Sequence, residues 1–179
     1  MGLNNFSIRL FNLGQRERGL AASQEAVDSF RELAKLRPEA FLPDLAGSLH
    51  NTGSMLWKLS RREEALSASK ETVDIYRQFA KARPDALLPK LAMSLRAMAL
   101  TLDQSGRFGE AADCAREGLE VLAPLVEAEP LTFGDLARAL ANDYIAIYQK
   151  AGRVPDRALL ERVARGDVPS SRSPGIRAG

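Results

Sequence analysis

The stretch Arg37-Pro38-Glu39-Ala40-Phe41-Leu42-Pro43-Asp44-Leu45-Ala46-Gly47-Ser48-Leu49 returns 46 residues later as Arg83-Pro84-Asp85-Ala86-Leu87-Leu88-Pro89-Lys90-Leu91-Ala92-Met93-Ser94-Leu95. The Arg-Pro pair, the second proline and the leucine and serine positions recur in place, and Pro130 falls a further 46 residues along. Carried outward, the register lays Gln15 to Ser60 over Arg61 to Gly106 without a gap, with 21 of the 46 positions identical. Self-similarity at a fixed period of this length marks stacked copies of one supersecondary unit, none able to bury its apolar face alone. The predicted architecture is a solenoid, which offers an extended surface before it offers a catalytic cleft.

Each period holds two apolar sets at helical spacing. Leu45, Leu49, Thr52, Leu56 and Leu59 form one helix face. Leu66, Ser69, Val73, Tyr76 and Ala80 form a second, matched one period earlier by Leu20, Ser23, Val27, Phe30 and Ala34. The fold class is therefore all-α, an α-solenoid of stacked antiparallel helix pairs. The first helix of a pair is expected to start at Pro43 or Pro89, because proline suits the first helical position. It should close at Gly14 or Gly106, residues that adopt the left-handed conformation readily. In the second copy Ser60 replaces glycine, and with Glu63 it predicts a capping box at the start of the second helix. That helix should run to Arg37 or Arg83, where the following proline stops it.

Pro124 falls inside the second helix of the third copy. It predicts a kink or an end near Ala123, since forced continuation costs about 3 kcal/mol, and with it a change in the direction of the array. A fourth unit offers a first helix from about Phe133 to Ala151, then Gly152 and a short second helix over Asp156 to Arg165. Residues 1–165 thus form one repeat domain of three full units and a partial fourth. Residues 166–179, rich in Ser, Pro and Gly, have too little apolar area to offset the entropy of ordering and are expected to be a disordered tail.

Composition narrows the function classes. Basic and acidic residues number 25 and 23, interleaved along the chain, which gives no electrostatic stripe for a phosphate backbone; no nucleic-acid partner is expected. The single cysteine, Cys114, has no partner within the chain for a disulfide. Neither an apolar run of membrane-spanning length nor a secretory leader pattern occurs, so no membrane partner is expected and the expected location is cytoplasmic.

The segment Leu59-Ser60-Arg61-Arg62-Glu63-Glu64-Ala65-Leu66, following Leu49-His50-Asn51-Thr52-Gly53, resembles the tetratricopeptide repeat. Gly53, Ala99 and Ser7 match the small residue that in this family follows the middle of the first helix. Ala65, Ala111 and Gly19 match the small residue near the start of the second, and Pro38, Pro84 and Pro130 match the closing proline. The unit is longer than the family's usual length of about 34 residues, as if the second helix were extended by three turns. In this it resembles the long-repeat subclass found in arrays of bacterial signalling proteins and in kinesin-light-chain-like repeats. HEAT and armadillo units share the length, but this turn is the wrong signature for them. The resemblance covers roughly Leu3 to Ala164. It implies a right-handed superhelix and a first helix that lines the concave side.

Chemistry is thin along the chain. His50 is the only histidine, and Cys114 lies at the apolar position equivalent to Ala68, where a core thiol is expected. Ser67 and Lys70 have Ser-x-x-Lys spacing without any companion motif, and the period replaces them with Ala21 and Gln24. The expectation is no enzyme, no metal and no cofactor. The concave face implied by the resemblance carries Asn4, Asn5, Ile8, Phe11 and Asn12 in the first copy and His50, Asn51, Ser54, Trp57 and Lys58 in the second. Arg96, Ala97, Leu100, Asp103 and Gln104 follow in the third, and Asn142, Ile145 and Gln149 in the fourth. Amides suit an extended backbone, and Trp57 beside Phe11 is the expected apolar anchor. A carboxylate clamp is only partly matched, because its lysine place holds Asn4 and His50. The leading functional reading is a non-catalytic module that binds a protein or peptide segment in its groove. The alternative is a piece of a larger array acting as sensor or scaffold in a bacterial signalling protein. Terminal repeats ordinarily need polar caps and none precedes Leu3, so self-association through uncapped repeat ends is also expected.

Overall fold

The computed structural model describes residues 2–164 as eight helices: α1 (Gly2–Asn12), α2 (Arg16–Leu36), α3 (Pro38–Lys58), α4 (Arg62–Ala80), α5 (Pro84–Gln104), α6 (Phe108–Ala128), α7 (Pro130–Lys150) and α8 (Arg157–Ala164). Among the described residues there is no strand, and no helix is long and apolar enough to cross a membrane. Successive helices pack on one another from α1 to α7, with α8 against α6 and α7. This is the stacked-pair α-solenoid that the period predicts. The tail expected over 166–179 lies outside the described residues.

The prolines define the pair differently from the sequence expectation. Pro38, Pro84 and Pro130 occupy the first turn of α3, α5 and α7, while Pro43 and Pro89 lie inside α3 and α5. A first-turn proline gives up an N–H that has no intrahelical acceptor, so the earlier proline is the better start. Carbonyls of Arg37 and Arg83 meanwhile accept from Phe41 and Leu87, which winds the chain into helix five residues sooner than expected. Pro124 does not end α6 either, which continues through it to Ala128. The residues around it explain why. Leu122, Ala123 and Val126 are fully buried in the core shared with α7, and burying such side chains at about 1.5–3 kcal/mol for each large one offsets the lost hydrogen bond.

The turn from the first helix to the second is built the same way four times. Gly14, Ser60, Gly106 and Gly152 all have positive φ. Behind them the amide of Arg61 donates to the Leu56 carbonyl at 2.9 Å and that of Ser60 to Trp57 at 3.0 Å; Arg107 with Leu102 and Gly106 with Asp103 repeat this at 2.9 and 3.0 Å. These are Schellman closures. Ser60 therefore closes α3 and does not cap α4, whose N-cap residue Arg61 makes no side-chain cap bond. Its guanidinium instead grips Glu64 at 2.6 Å, as Arg107 grips Glu110. Ser60 is the one non-glycine residue at positive φ among those described, a conformation costing roughly 1–2 kcal/mol for a residue with a Cβ. Ser60→Gly is accordingly expected to stabilise the chain by about 1 kcal/mol and to raise Tm by about 2–4 °C. Calorimetry checks this, and an unchanged or lower Tm counts against the assignment of strain.

The inner and outer edges of the array follow from which helices meet. The first helices touch one another, α1 with α3, α3 with α5 and α5 with α7, whereas the second helices α2, α4 and α6 have no such backbone approach between them; only the short α8 of the last pair packs on its predecessor, α6. The layer of α1, α3, α5 and α7 is thus the tighter, inner one. Across the wider outer gaps only long side chains reach. Arg31 forks onto the Glu71 carboxylate at 3.0 Å and Arg77 onto Glu117 at 3.0 Å, the same pair repeated one period apart. The buried hydroxyls are satisfied locally: Thr52 and Thr72 donate to carbonyls four residues back, and Ser23 and Thr52 share a hydrogen bond of 2.7 Å between α2 and α3. At the far end the Asp156 carboxylate accepts from the Leu159 amide at 3.2 Å and so caps α8.

Candidate functional site

The inner helices carry the site. On α3 the residues His50, Ser54 and Trp57 fall on one face by their spacing of four and three, and on α5 Ala97 and Leu100 face them. Between the two helices, with Gly53, Ser69 and Thr101, they enclose a cavity of about 180 Å³. Trp57 is 38% exposed there. Gly53 lines the cavity without a side chain and lies close against α4. Its period-mates Ser7 and Ala99 both carry a Cβ, and a Cβ at Gly53 would come within 3.4 Å of Ala68.

A larger basin of about 510 Å³ adjoins it, sharing His50. Asn4 and Asn5 from α1, Asp44, Gly47 and Asn51 from α3, Tyr76 from α4 and Lys90, Met93 and Ser94 from α5 are among its walls. Asn4 donates through Nδ2 to the Ser48 hydroxyl at 2.8 Å, while its Oδ1 is buried and accepts no hydrogen bond among the described residues. Burial lowers His50 below its usual value, so it presents a neutral imidazole near pH 7. Burial, helped by Asp44, pushes Tyr76 up to about 12, so its hydroxyl keeps its proton. A third hollow of about 190 Å³ lies towards α1, lined by Ile8, Phe11, Asn12, Asn51, Ser54, Met55 and Lys58.

The structure brings Asn4, Asn5, Ile8, Asn12, His50, Asn51, Ser54, Trp57, Lys58 and Leu100 onto this connected hollowed face. Phe11 is corrected. It is 7% exposed, packed with Leu20, Met55 and Leu56, and its outer face lies under the Lys58 ammonium at 5.7 Å. The cause is Gly19, which lets α2 press against the backbone of Phe11 and draws that side chain into the core. Of the two expected aromatic anchors Trp57 is the exposed one, and Phe11 lines the neighbouring hollow while mostly buried. Arg96 and Asp103 are engaged with α7, Arg96 Nε donating to Asp143 at 2.6 Å and Lys150 to Asp103 at 2.6 Å. Gln104 and Gln149 are exposed, and Asn142 and Ile145 line a separate hollow between α7 and α8.

Sequence reasoning missed Asp44, Gly47, Lys90 and Met93. A signal for them existed: within the near-identical stretch from Pro43 to Leu49, positions 44 and 47 are the two that change between copies, to Lys90 and Met93. They change because they face the basin and pack against nothing that repeats. Cys114 is half-buried against the core as expected, and burial together with Glu117 and Asp113 pushes its thiol up to about 11. Among the described residues no group of three or more His, Cys, Asp or Glu is placed to hold a metal ion.

A curved stack of helix pairs with a hollowed inner face defines the class: a helical-repeat array. Its repeat is tetratricopeptide-like. Residues 45–78, spanning α3 from Leu45 and α4 to Gln78, match the family model described as tetratricopeptide repeat. Two crystal structures of a Podosopora anserina putative kinesin light chain with nearly identical TPR-like repeats are similar. One, of a point variant, has a TM-score of 0.56 and 18% identity over 92% of this chain and 84% of that one; the other has 0.55 and 17% over 96% of each. At such identity the likeness is one of fold. No curated protein matches the sequence.

Proposed function

We propose that the chain is a non-catalytic protein-interaction module that takes a peptide segment of a partner along its inner face. The observation that carries this reading is the cavity at Trp57. One exposed aromatic stands over an apolar hollow big enough for one side chain, next to a basin walled by amides, His50 and Lys90. Asparagine side chains offer donors and acceptors to an extended backbone, and a desolvated tryptophan is the residue type that most often dominates such binding. Lys58 and Lys90 have no ion-pair partner among the described residues and favour a segment with acidic groups flanking its apolar side chain.

Peptides selected from a display library on the intact chain provide the test. Trp57→Ala should weaken the selected peptides by about 2 kcal/mol, roughly 30-fold. Leu131→Ala, at an exposed site on α7 away from the inner cavity, should leave them unchanged. Peptides indifferent to Trp57→Ala sink the proposal.

A further inference from the structure

The cavity at Trp57 is walled by α3, α4 and α5, each continued on both sides by further helices of the array, so it owes nothing to either end of the sequence. Its polar groups are set by a break in the repeat. Ser23 on α2 shares a hydrogen bond of 2.7 Å with Thr52 of the next inner helix. Ser69 on α4 is the period-mate of Ser23, but the place of Thr52 is taken one period on by Met98, whose thioether is a weak acceptor and no donor. The Ser69 hydroxyl accordingly has no hydrogen-bond partner among the described residues, and it lines the cavity.

A second break frees His50. At the neighbouring junctions of the inner layer the equivalent residues cross to the next inner helix. Asn4, the period-mate of His50, bonds Ser48, while Arg96 and Asp103, the period-mates of His50 and Trp57, bond Asp143 and Lys150. Between α3 and α5 neither His50 nor Trp57 makes such a bond among the described residues, and the space they would span stays hollow. Trp57, Ala97 and Leu100 make that hollow apolar, and Ser69 and the neutral His50 set two unpaired polar groups in its lining.

The volume and the lining select one kind of side chain. At about 180 Å³ the cavity is larger than the roughly 150 Å³ that accommodates a benzene ring. An aliphatic or phenyl group would fill it and leave Ser69 and His50 unpaired in a site closed to water. A phenol fills it and satisfies both, because its hydroxyl donates once and accepts as well, matching a serine hydroxyl and a neutral imidazole. We infer that the anchoring residue of the bound segment is a tyrosine, its ring against Trp57 and Leu100 and its hydroxyl hydrogen-bonded to Ser69 and His50. This rests on the inner-face peptide reading and names the side chain that occupies its cavity. Ring packing supplies attraction, and the hydroxyl supplies choice, since a site that hydrogen-bonds a hydroxyl rejects the analogue lacking it. The chain does not provide the residue from its own 179: Tyr76, Tyr144 and Tyr148 are its only tyrosines, and all three are buried.

The test uses the intact chain and peptides selected on it from a display library in which tyrosine, phenylalanine and leucine are equally represented at every position. Tyrosine is expected at the position whose contribution is lost with Trp57→Ala. Replacing it by phenylalanine should weaken binding at least tenfold. In Ser69→Ala the two peptides should come within about threefold of each other, the coupling that a double-mutant cycle reads. Alanine is accommodated there, as Ala115 holds the equivalent place one period on and the Ser69 hydroxyl bonds nothing among the described residues. As a probe free of any peptide sequence, N-acetyltyrosinamide should shift the Trp57 indole N–H resonance more than N-acetylphenylalaninamide does at equal concentration. Peptides that depend on Trp57 but carry phenylalanine or leucine at the anchor, or a tyrosine preference untouched by Ser69→Ala, overturn this inference and leave the peptide-binding reading standing. Equal shifts by the two amides also count against it. Peptides indifferent to Trp57→Ala overturn both.

Discussion

Gly19→Ala is expected to cost about 2 kcal/mol, although alanine is the better helix former by about 1 kcal/mol. A Cβ at Gly19 would stand 2.7 Å from the Phe11 amide nitrogen and 2.9 Å from the Ser7 carbonyl oxygen. Both are backbone atoms of α1, so no side chain can turn away and the two helices must separate. Ser7 and Phe11 are buried at that crossing, and α1 has little else to hold it beyond α2 and a narrow contact with α3. Separation should therefore free α1 while leaving α3 to α8 in place. Hydrogen exchange would show lost protection in residues 4–12, and urea titration the loss of stability. Gly53→Ala is the matched control. Its Cβ would meet Ala68 at 3.4 Å and Ala65 and Ser69 at 3.5 Å, ordinary contact distances, so the helix-propensity gain should prevail and the variant should be neutral or slightly more stable. Equal behaviour of the two variants would refute the close approach at Gly19.

Leu95→Ala should be more damaging, at about 2–5 kcal/mol, the range for a fully buried leucine whose cavity cannot collapse. Leu95 is fully buried in α5. It belongs to the core of α2 to α5 and approaches Gly118 of α6, where a Cβ would lie 3.5 Å from its own. The residue therefore joins two stretches of core. In an array whose stability is a sum of units and neighbour interfaces, loss at a joint weakens coupling as well as total stability. Trp57, the sole tryptophan, reports on α3. The ring pair Tyr144 and Tyr148, with centroids 4.2 Å apart, reports on α7. Urea midpoints from tryptophan fluorescence and near-ultraviolet tyrosine ellipticity should coincide in the parent and separate in Leu95→Ala. Coincident midpoints with a small shift would mean that the joint carries little.

Much of the fold was legible because repetition makes each copy a check on the others. The apolar sets, the four turns and the helix pairing follow from positions that recur. The misreadings came where two physical roles share one residue type. Proline at the first position and proline five residues later look alike in sequence, so the repeat alone points to Pro43 for the start that Pro38 makes. Ser60 with Glu63 has the spacing of a capping box, but the glycines at 14, 106 and 152 already fix that place as a left-handed closure. Pro124 was judged by its own cost, without the fully buried Leu122, Ala123 and Val126 that hold the helix on either side. At the site, the helix face was legible for Trp57 and Leu100. For Phe11 the face was legible but the depth was not, since its burial depends on how closely α2 approaches, a distance that periodicity does not encode.

The family match spans 45–78, and the same unit would resume at Leu91 in the next copy. The residues between, 79–90, contain the end of α4, the Arg83-Pro84 hinge and the first turns of α5. The added length is thus shared by both helices at the proline end and is not confined to the second. Pro43, Asp44 and Lys90 all lie in this added length, and all three wall the larger basin. The seven further residues of α5, Pro84 to Lys90, raise that rim by about 10 Å. A solenoid of the shorter unit would run the same course as a lower ribbon, with the shallow cavity at Trp57 and no deep bay beside it. Here the extra turns do more than stiffen a strut: they supply walls of the basin of about 510 Å³ beside that cavity.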